Sequence, residues 1–315
     1  MREVASAMML GLLLMQNPAP EPQQASKPDT ATFRVNTKLV NVMVNVTDDK
    51  GAPVGGLTQD DFMLSEDRKL QKIAVFERES AAPLSIVLAI DISGSVFIDQ
   101  KLEQDAARHF VKALLRPQDE LDLMAFDQQV REVVPFTNDT KRIENGLHNM
   151  GEGEATALFN AVFLGAQSLA ALQHPQDTAP RRKVIVIISD GEDTVHGVNY
   201  MKAVAEAQRA DAMVFSIIMV PIEADAGRSE GGEHALIEFA NDTGGKYYYV
   251  TRPKELDAAF EHVSDDLRTQ YLLGYYAPQH RPGEEFHTIL VNMKTPALAV
   301  KYQVRHRTGY YSSTR

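Results

Sequence analysis

Lys183–Ser189 reads KVIVIIS, with five β-branched apolar residues in succession from Val184 to Ile188. Such a run has no solvent face, so as a strand it must be covered on both sides. Leu84–Ile90, LSIVLAI, makes the same demand. Further strands are expected at Leu121–Phe126, Val130–Phe136, Met213–Val220 and Tyr247–Val250. Between them, apolar residues recur at helical spacing over Leu102–Leu115, Ile143–Met150, Ala157–Leu172, Met201–Arg209, Ala235–Asn241 and Lys254–Leu267. Strands that alternate with amphipathic helices predict an α/β fold: a doubly wound, mostly parallel sheet with helices on both faces. This domain is expected over residues 80–270.

The flanks read differently. In residues 32–79, Thr32–Thr37 and Leu39–Val46 alternate apolar and polar side chains, and Phe62–Ser65 and Ile73–Phe76 are short strands separated by a turn at Glu66–Lys69. In residues 271–310, Tyr271–Tyr276, His287–Lys294 and Val300–His306 are strand-like. Two or three short strands are marginal alone. A domain's entry and exit points tend to lie close together, which lets one domain be inserted in another. The two flanks are therefore expected to pair into one β-sandwich into which the α/β domain is inserted. The terminal GYYSSTR is expected to fray.

At the N-terminus, Arg2 precedes an apolar run from Val4 to Met15, too short to span a bilayer but long enough for a secretory leader, assigned to residues 1–16. Residues 17–31 hold four prolines and read as a disordered linker. No other segment is a transmembrane candidate. These features predict an exported protein, periplasmic or secreted. A net charge of −11 disfavours nucleic acid and anionic lipid as partners. The absence of cysteine excludes thiolate metal sites, disulfides and thiol catalysis.

In open α/β sheets, ligands bind beyond the carboxyl ends of the strands. The first apolar run ends in Asp91-Ile92-Ser93-Gly94-Ser95 and the KVIVIIS run in Ser189-Asp190-Gly191-Glu192-Asp193. Asp91, Ser93 and Ser95 alternate in a tight loop, so three oxygens can face one pocket, and Gly94 lets the backbone approach. The nine histidines show no ligand spacing, no Gly-x-Ser-x-Gly surrounds a serine, and no glycine-rich phosphate loop follows the first strand. Asp127 reads as a turn residue.

The Asp-x-Ser-x-Ser at the end of a buried strand, followed by a helix, together with Asp190-Gly191 at the end of another, resembles the von Willebrand factor type A (vWA, integrin I-like) family over residues 80–272. The resemblance implies a metal-dependent adhesion site of Asp91, Ser93, Ser95, Thr156 and Asp190. This all-oxygen set suits Mg²⁺, Mn²⁺ or Ca²⁺ rather than Zn²⁺. It also implies an open coordination position for an Asp or Glu of a protein partner. Glu192 and Asp193 are candidates for supporting or partner-facing roles. The flanking segments resemble those of vWA-domain proteins typical of Acidobacteria, which implies a bacterial, exported protein. The expected function is non-catalytic protein binding. The alternatives are a hydrolase using the same cation, for which the loops 91–95, 152–156 and 189–193 offer no histidine or lysine, or a passive scaffold with a vestigial site.

Overall fold

A computed structural model describes residues 39–78, 82–93, 100–177, 181–191, 193–195, 197–220, 230–278 and 285–312. The leader, the linker and the strand expected at Thr32–Thr37 lie outside them. The chain opens with β1 (Leu39–Thr47), β2 (Phe62–Glu66), β3 (Lys69–Gln71) and β4 (Ile73–Arg78). The α/β domain follows as β5 (Leu84–Asp91), α1 (Gln100–Leu114), β6 (Glu120–Phe126), β7 (Val130–Thr137), α2 (Thr140–His148), α3 (Leu158–Ala171), β8 (Arg182–Ser189), α4 (Tyr200–Arg209), β9 (Ala212–Met219), α5 (Glu230–Thr243), β10 (Tyr247–Val250) and α6 (Leu256–Arg268). The chain then returns to β11 (Tyr271–Tyr276), β12 (Phe286–Met293), α7 (Pro296–Lys301), β13 (Gln303–His306) and β14 (Gly309–Tyr311).

The central sheet has the order β10-β9-β8-β5-β6-β7, parallel except for the antiparallel edge strand β7. All eight residues of β5 are buried, as two covered faces require. One face packs against α1, α2 and α6 through Phe110, Ile143, Leu147, Phe260 and Val263. The other packs against α3, α4 and α5 through Leu158, Val162, Val204 and Phe239. No helix among the described residues is long and apolar enough to cross a membrane.

The flanks interlace. One four-stranded sheet runs β13-β1-β11-β4 and the other β14-β12-β2-β3, so each draws strands from both ends of the chain. Val40, Val42, Val44 and Val46 of β1 point inward and meet Leu64, Ile289, Val291 and Met293 of the facing sheet. Three expectations need correction. The turn after Phe62–Glu66 is shorter than predicted: Asp67 and Arg68 both take positive φ, 47° and 65°, as a two-residue hairpin requires, and an extra strand, β3, follows. Asp67 fits there because its carboxylate accepts from the backbone and hydroxyl of Thr288 at 3.0 and 3.2 Å. The strand expected from Val300 starts only at Gln303. Thr295 caps Leu298 N and Pro296 occupies the first turn, so a short helix forms first. The tail does not fray at Gly309–Tyr311, which pairs with β12 and buries Tyr310; residues 313–315 lie outside the described set.

The sandwich meets the amino edge of the parallel sheet. Arg182, the first residue of β8, bonds the Leu267 carbonyl and, at 3.2 Å, Gln270 Oε1, just before β11. Arg307 bonds Asp211, which precedes β9, and the Asn41 carbonyl. Buried Asp266 of α6 is gripped by Arg305 at 3.2 Å and Lys246 at 3.5 Å. The carboxyl ends of β5 and β8 therefore point away from the sandwich. Because, among the described residues, β1 has β11 and β13 as its neighbours in its sheet, deleting residues 271–315 should expose residues 39–78 to protease. Undiminished resistance of that segment in limited proteolysis would contradict the interlaced pairing.

Candidate metal centre

Asp91 is the last residue of β5 and has no exposed surface. Its Oδ1 accepts from Ser93 N at 3.0 Å and its Oδ2 from Ser189 Oγ at 2.6 Å. Ser189 ends β8, the neighbour of β5, so this bond joins the ends of two adjacent strands. Ser189 Oγ also accepts from Gly191 N at 3.0 Å and so fixes the turn that carries Asp190. Gly191 has φ of +91°, and a Cβ there would come within 2.5 Å of the Gly232 backbone. Only glycine suits both conditions.

The third loop is bound to the other two. Gly153 N donates to Ile92 O at 2.8 Å, and Ser93 and Gly153 form a parallel bridge. A Cβ on Gly153 would strike Asp127. Asp127 is the turn residue expected: its Oδ1 accepts from Gln129 N at 2.8 Å, and its carbonyl accepts from Ala157 N at 2.7 Å. Buried Thr156 exchanges bonds with Thr194, Thr156 N to Thr194 Oγ1 and Thr194 N to Thr156 O, both 2.9 Å. Asp193 Oδ1 accepts from Phe159 N at 3.2 Å, in the first turn of α3, where the preceding residue Ala157 offers no side-chain cap.

Asp91, Ser93, Thr156 and Asp190 thus sit on three loops that are hydrogen-bonded to one another at the carboxyl edge. Ser95 and Glu192 lie outside the described residues. Asp193 serves the N-terminus of α3. Ser189 and Thr194 are the connectors that sequence reasoning missed. Their signal was a hydroxyl beside each acidic turn residue, in Ser189-Asp190 and Asp193-Thr194.

Two carboxylates, Asp91 and Asp190, meet at this edge. Burial pushes the Asp91 carboxyl up to about 6; the hydrogen bonds from Ser189 and Ser93 oppose the shift, and the neighbouring charge of Asp190 adds to it. The acceptors available are carboxylates and hydroxyls, hard oxygens that fit a divalent cation of the Mg²⁺ type. A second acidic group, Glu66, Asp67 and His287, lies in the sandwich, with ligand atoms within 4.8 Å of one another. Its atoms are already engaged: Glu66 accepts from Tyr275 and Tyr310, and Asp67 bonds His287 at 2.9 Å.

Residues 86–192 match the family model of the von Willebrand factor type A domain. Among solved structures, a von Willebrand factor type A protein from Catenulispora acidiphila superposes with a TM-score of 0.50 at 12% identity, covering 88% of this chain and 75% of that one. The conserved hypothetical protein BatB from Bacteroides thetaiotaomicron gives 0.45 at 20% identity, over 59% of this chain and all of the other. The vWF domain of the type V pili tip protein Mfa5 from Porphyromonas gingivalis gives 0.44 at 14% identity, over 59% and 95%. No curated protein matches the sequence. The chain carries a von Willebrand factor type A domain, set between two halves of a β-sandwich.

Proposed function

We propose that this protein is a non-catalytic, cation-dependent binding module of the bacterial cell envelope or exterior. Asp91, Ser93, Ser95, Thr156 and Asp190 are the residues that would hold Mg²⁺, or Mn²⁺ or Ca²⁺ in its place. The cation would supply an electrophilic centre for an aspartate or glutamate of a protein partner. The observation that carries this reading is the set of hydrogen bonds that ties three loops around Asp91, a fully buried carboxylate that accepts from the amide and side chain of Ser93 and from the Ser189 hydroxyl. A carboxylate buried with hydroxyl and amide donors alone is costly, and a bound cation offsets that cost. Export is supported by the leader-like run Val4–Met15.

Mg²⁺ should raise the melting temperature, because it binds only the folded state; at a hundredfold excess over Kd the gain is about 2.7 kcal/mol. Asp91→Ala should remove both the thermal shift and the calorimetric heat while circular dichroism stays native. Unchanged Mg²⁺ affinity in that variant would refute the site.

The shift should depend on pH. Asp91 is raised from 3.8 to about 6 in the folded chain, so without cation the ionised form costs about 3 kcal/mol above pH 6, and this cost disappears as pH falls toward 4. Cation binding requires the ionised form. The Mg²⁺-induced shift is therefore expected to be full at pH 7.5 and mostly lost by pH 5. A shift that stays constant over this range would show that Asp91 is not involved.

Partner capture tests the rest of the reading. A pull-down from the native envelope fraction should retain a protein in Mg²⁺ and release it in EDTA, and Asp91→Ala should retain none. Retention equal in all three conditions would rule out cation-mediated recognition.

A further inference from the structure

A histidine bridges the two sheets of the sandwich. β14 covers the edge of β12 from Phe286 to Thr288. Past it, Ile289 N donates to Thr308 O at 2.9 Å, and the next amide on that edge, Val291 N, donates to His306 Nε2 at 3.0 Å. A side chain of β13, in one sheet, thus satisfies the backbone of β12, in the other. His306 lies opposite inward-pointing Val44 of β1, so its ring enters the space between the sheets.

The geometry settles where the ring hydrogen sits. Nε2 accepts from an N–H and so carries no hydrogen; the hydrogen of the neutral ring is on Nδ1, which donates to Arg307 O at 2.7 Å. Both ring nitrogens are used, and one tautomer alone suits both. A second proton would set N–H against N–H at Val291. Burial depresses the pKa of the ring below the usual 6.5; the Arg307 carbonyl opposes the shift and the Arg307 guanidinium adds to it. The other elements around the ring hold their ionisable groups in bonds of their own. β1 has none, β12 has His287, held by Asp67 at 2.9 Å, and β2 has Glu66, which receives the Tyr275 and Tyr310 hydroxyls. The end of α5 brings Asp242, which receives the Tyr200 hydroxyl at 2.8 Å.

The residues on either side give this bond its reach. Arg305 and Arg307 alternate with His306 and face the other way. Arg305 grips buried Asp266 of α6 at 3.2 Å, and Arg307 bonds Asp211 and the Asn41 carbonyl. These contacts seat the vWA domain on the sandwich. We propose that His306 is a proton-operated catch: a second proton on its ring breaks the bond to Val291, frees β13 from β12 and loosens the grip of Arg305 and Arg307 on the vWA domain. A depressed histidine contributes stability that is complete above pH 6.5 and is lost as pH falls through its folded value.

Melting temperature alone does not isolate this effect, because Asp91 and Asp122, raised to about 6 and about 7, gain stability over the same fall in pH. The full chain, labelled with ¹⁵N, is therefore followed by NMR from pH 7.5 to 4, in its His306 ring and its amide exchange. At pH 7.5 the ring should carry its hydrogen on Nδ1. As the second proton binds, protection of the Val291 and β13 amides should fall at least tenfold, while that of the β8 amides stays. His306→Gln offers Val291 an acceptor that does not titrate and should keep the protection at every pH. Hydrogen on Nε2 at pH 7.5, a ring neutral down to pH 4, or protection unchanged across the ring's titration overturns the proposal. So does loss of protection in His306→Gln over the same interval. The first three readings need the wild type alone and decide the matter if His306→Gln does not fold.

Discussion

The central strands β5 and β8 are covered on both faces, and the rest of the molecule is arranged around that constraint. A strand buried throughout can carry polar side chains only where it emerges, at its two ends. At the carboxyl end this concentrates Asp91 and Ser189, which bond to each other across the strand gap. At the amino end it concentrates Ser85, Arg182 and Lys183. The apolar middle leaves the polar side chains of these strands at two separate edges. The crossover helices run antiparallel to the parallel strands, so their positive N-termini lie at the carboxyl edge, where they favour its carboxylates.

The three loops at the acidic edge hold one another in place. Asp91 is oriented by Ser189 and Ser93, Thr156 by Thr194, and the loop between Asp91 and Thr156 by Gly153 against Asp127. Such closure matters for a buried carboxylate. With its oxygens held by fixed donors, Asp91 keeps its geometry even though burial favours its neutral form. The supporting residues among those described are short hydroxyls and glycines.

How much of this could be read from the chain follows from which interactions are local. The runs LSIVLAI and KVIVIIS have no alternative to a doubly covered strand, and the helical spacing between them leaves little freedom in topology. The turn at Asp67-Arg68 was misjudged because two positive-φ residues without glycine are stabilised by a partner, Thr288, far along the chain. The strand at Gly309–Tyr311 was missed for the same reason: a polar tail has no period of its own, and it becomes a strand only because β12 offers an edge and Glu66 receives the Tyr310 hydroxyl. Asp193 was read as a supporting or partner-facing residue, and one of its carboxylate oxygens accepts from Phe159 N in the first turn of α3, a helix whose own preceding residue is an alanine. Thr295-Pro296 is a helix-start signal in the sequence, and α7 forms there ahead of the strand expected from Val300.

The interlacing of the sandwich also sets an order of assembly. β1 is among the first strands made, yet its neighbours β11 and β13 are among the last. At roughly 5–20 residues per second of synthesis, the separation of 271 − 44 = 227 positions between Val44 and its partner Tyr271 represents about 10–45 s on the ribosome. For that interval a valine-rich strand waits with both edges unsatisfied. The vWA domain, complete in the middle of the chain, can fold while the sandwich cannot. Closure of the sandwich therefore has to wait for the last strands of the chain.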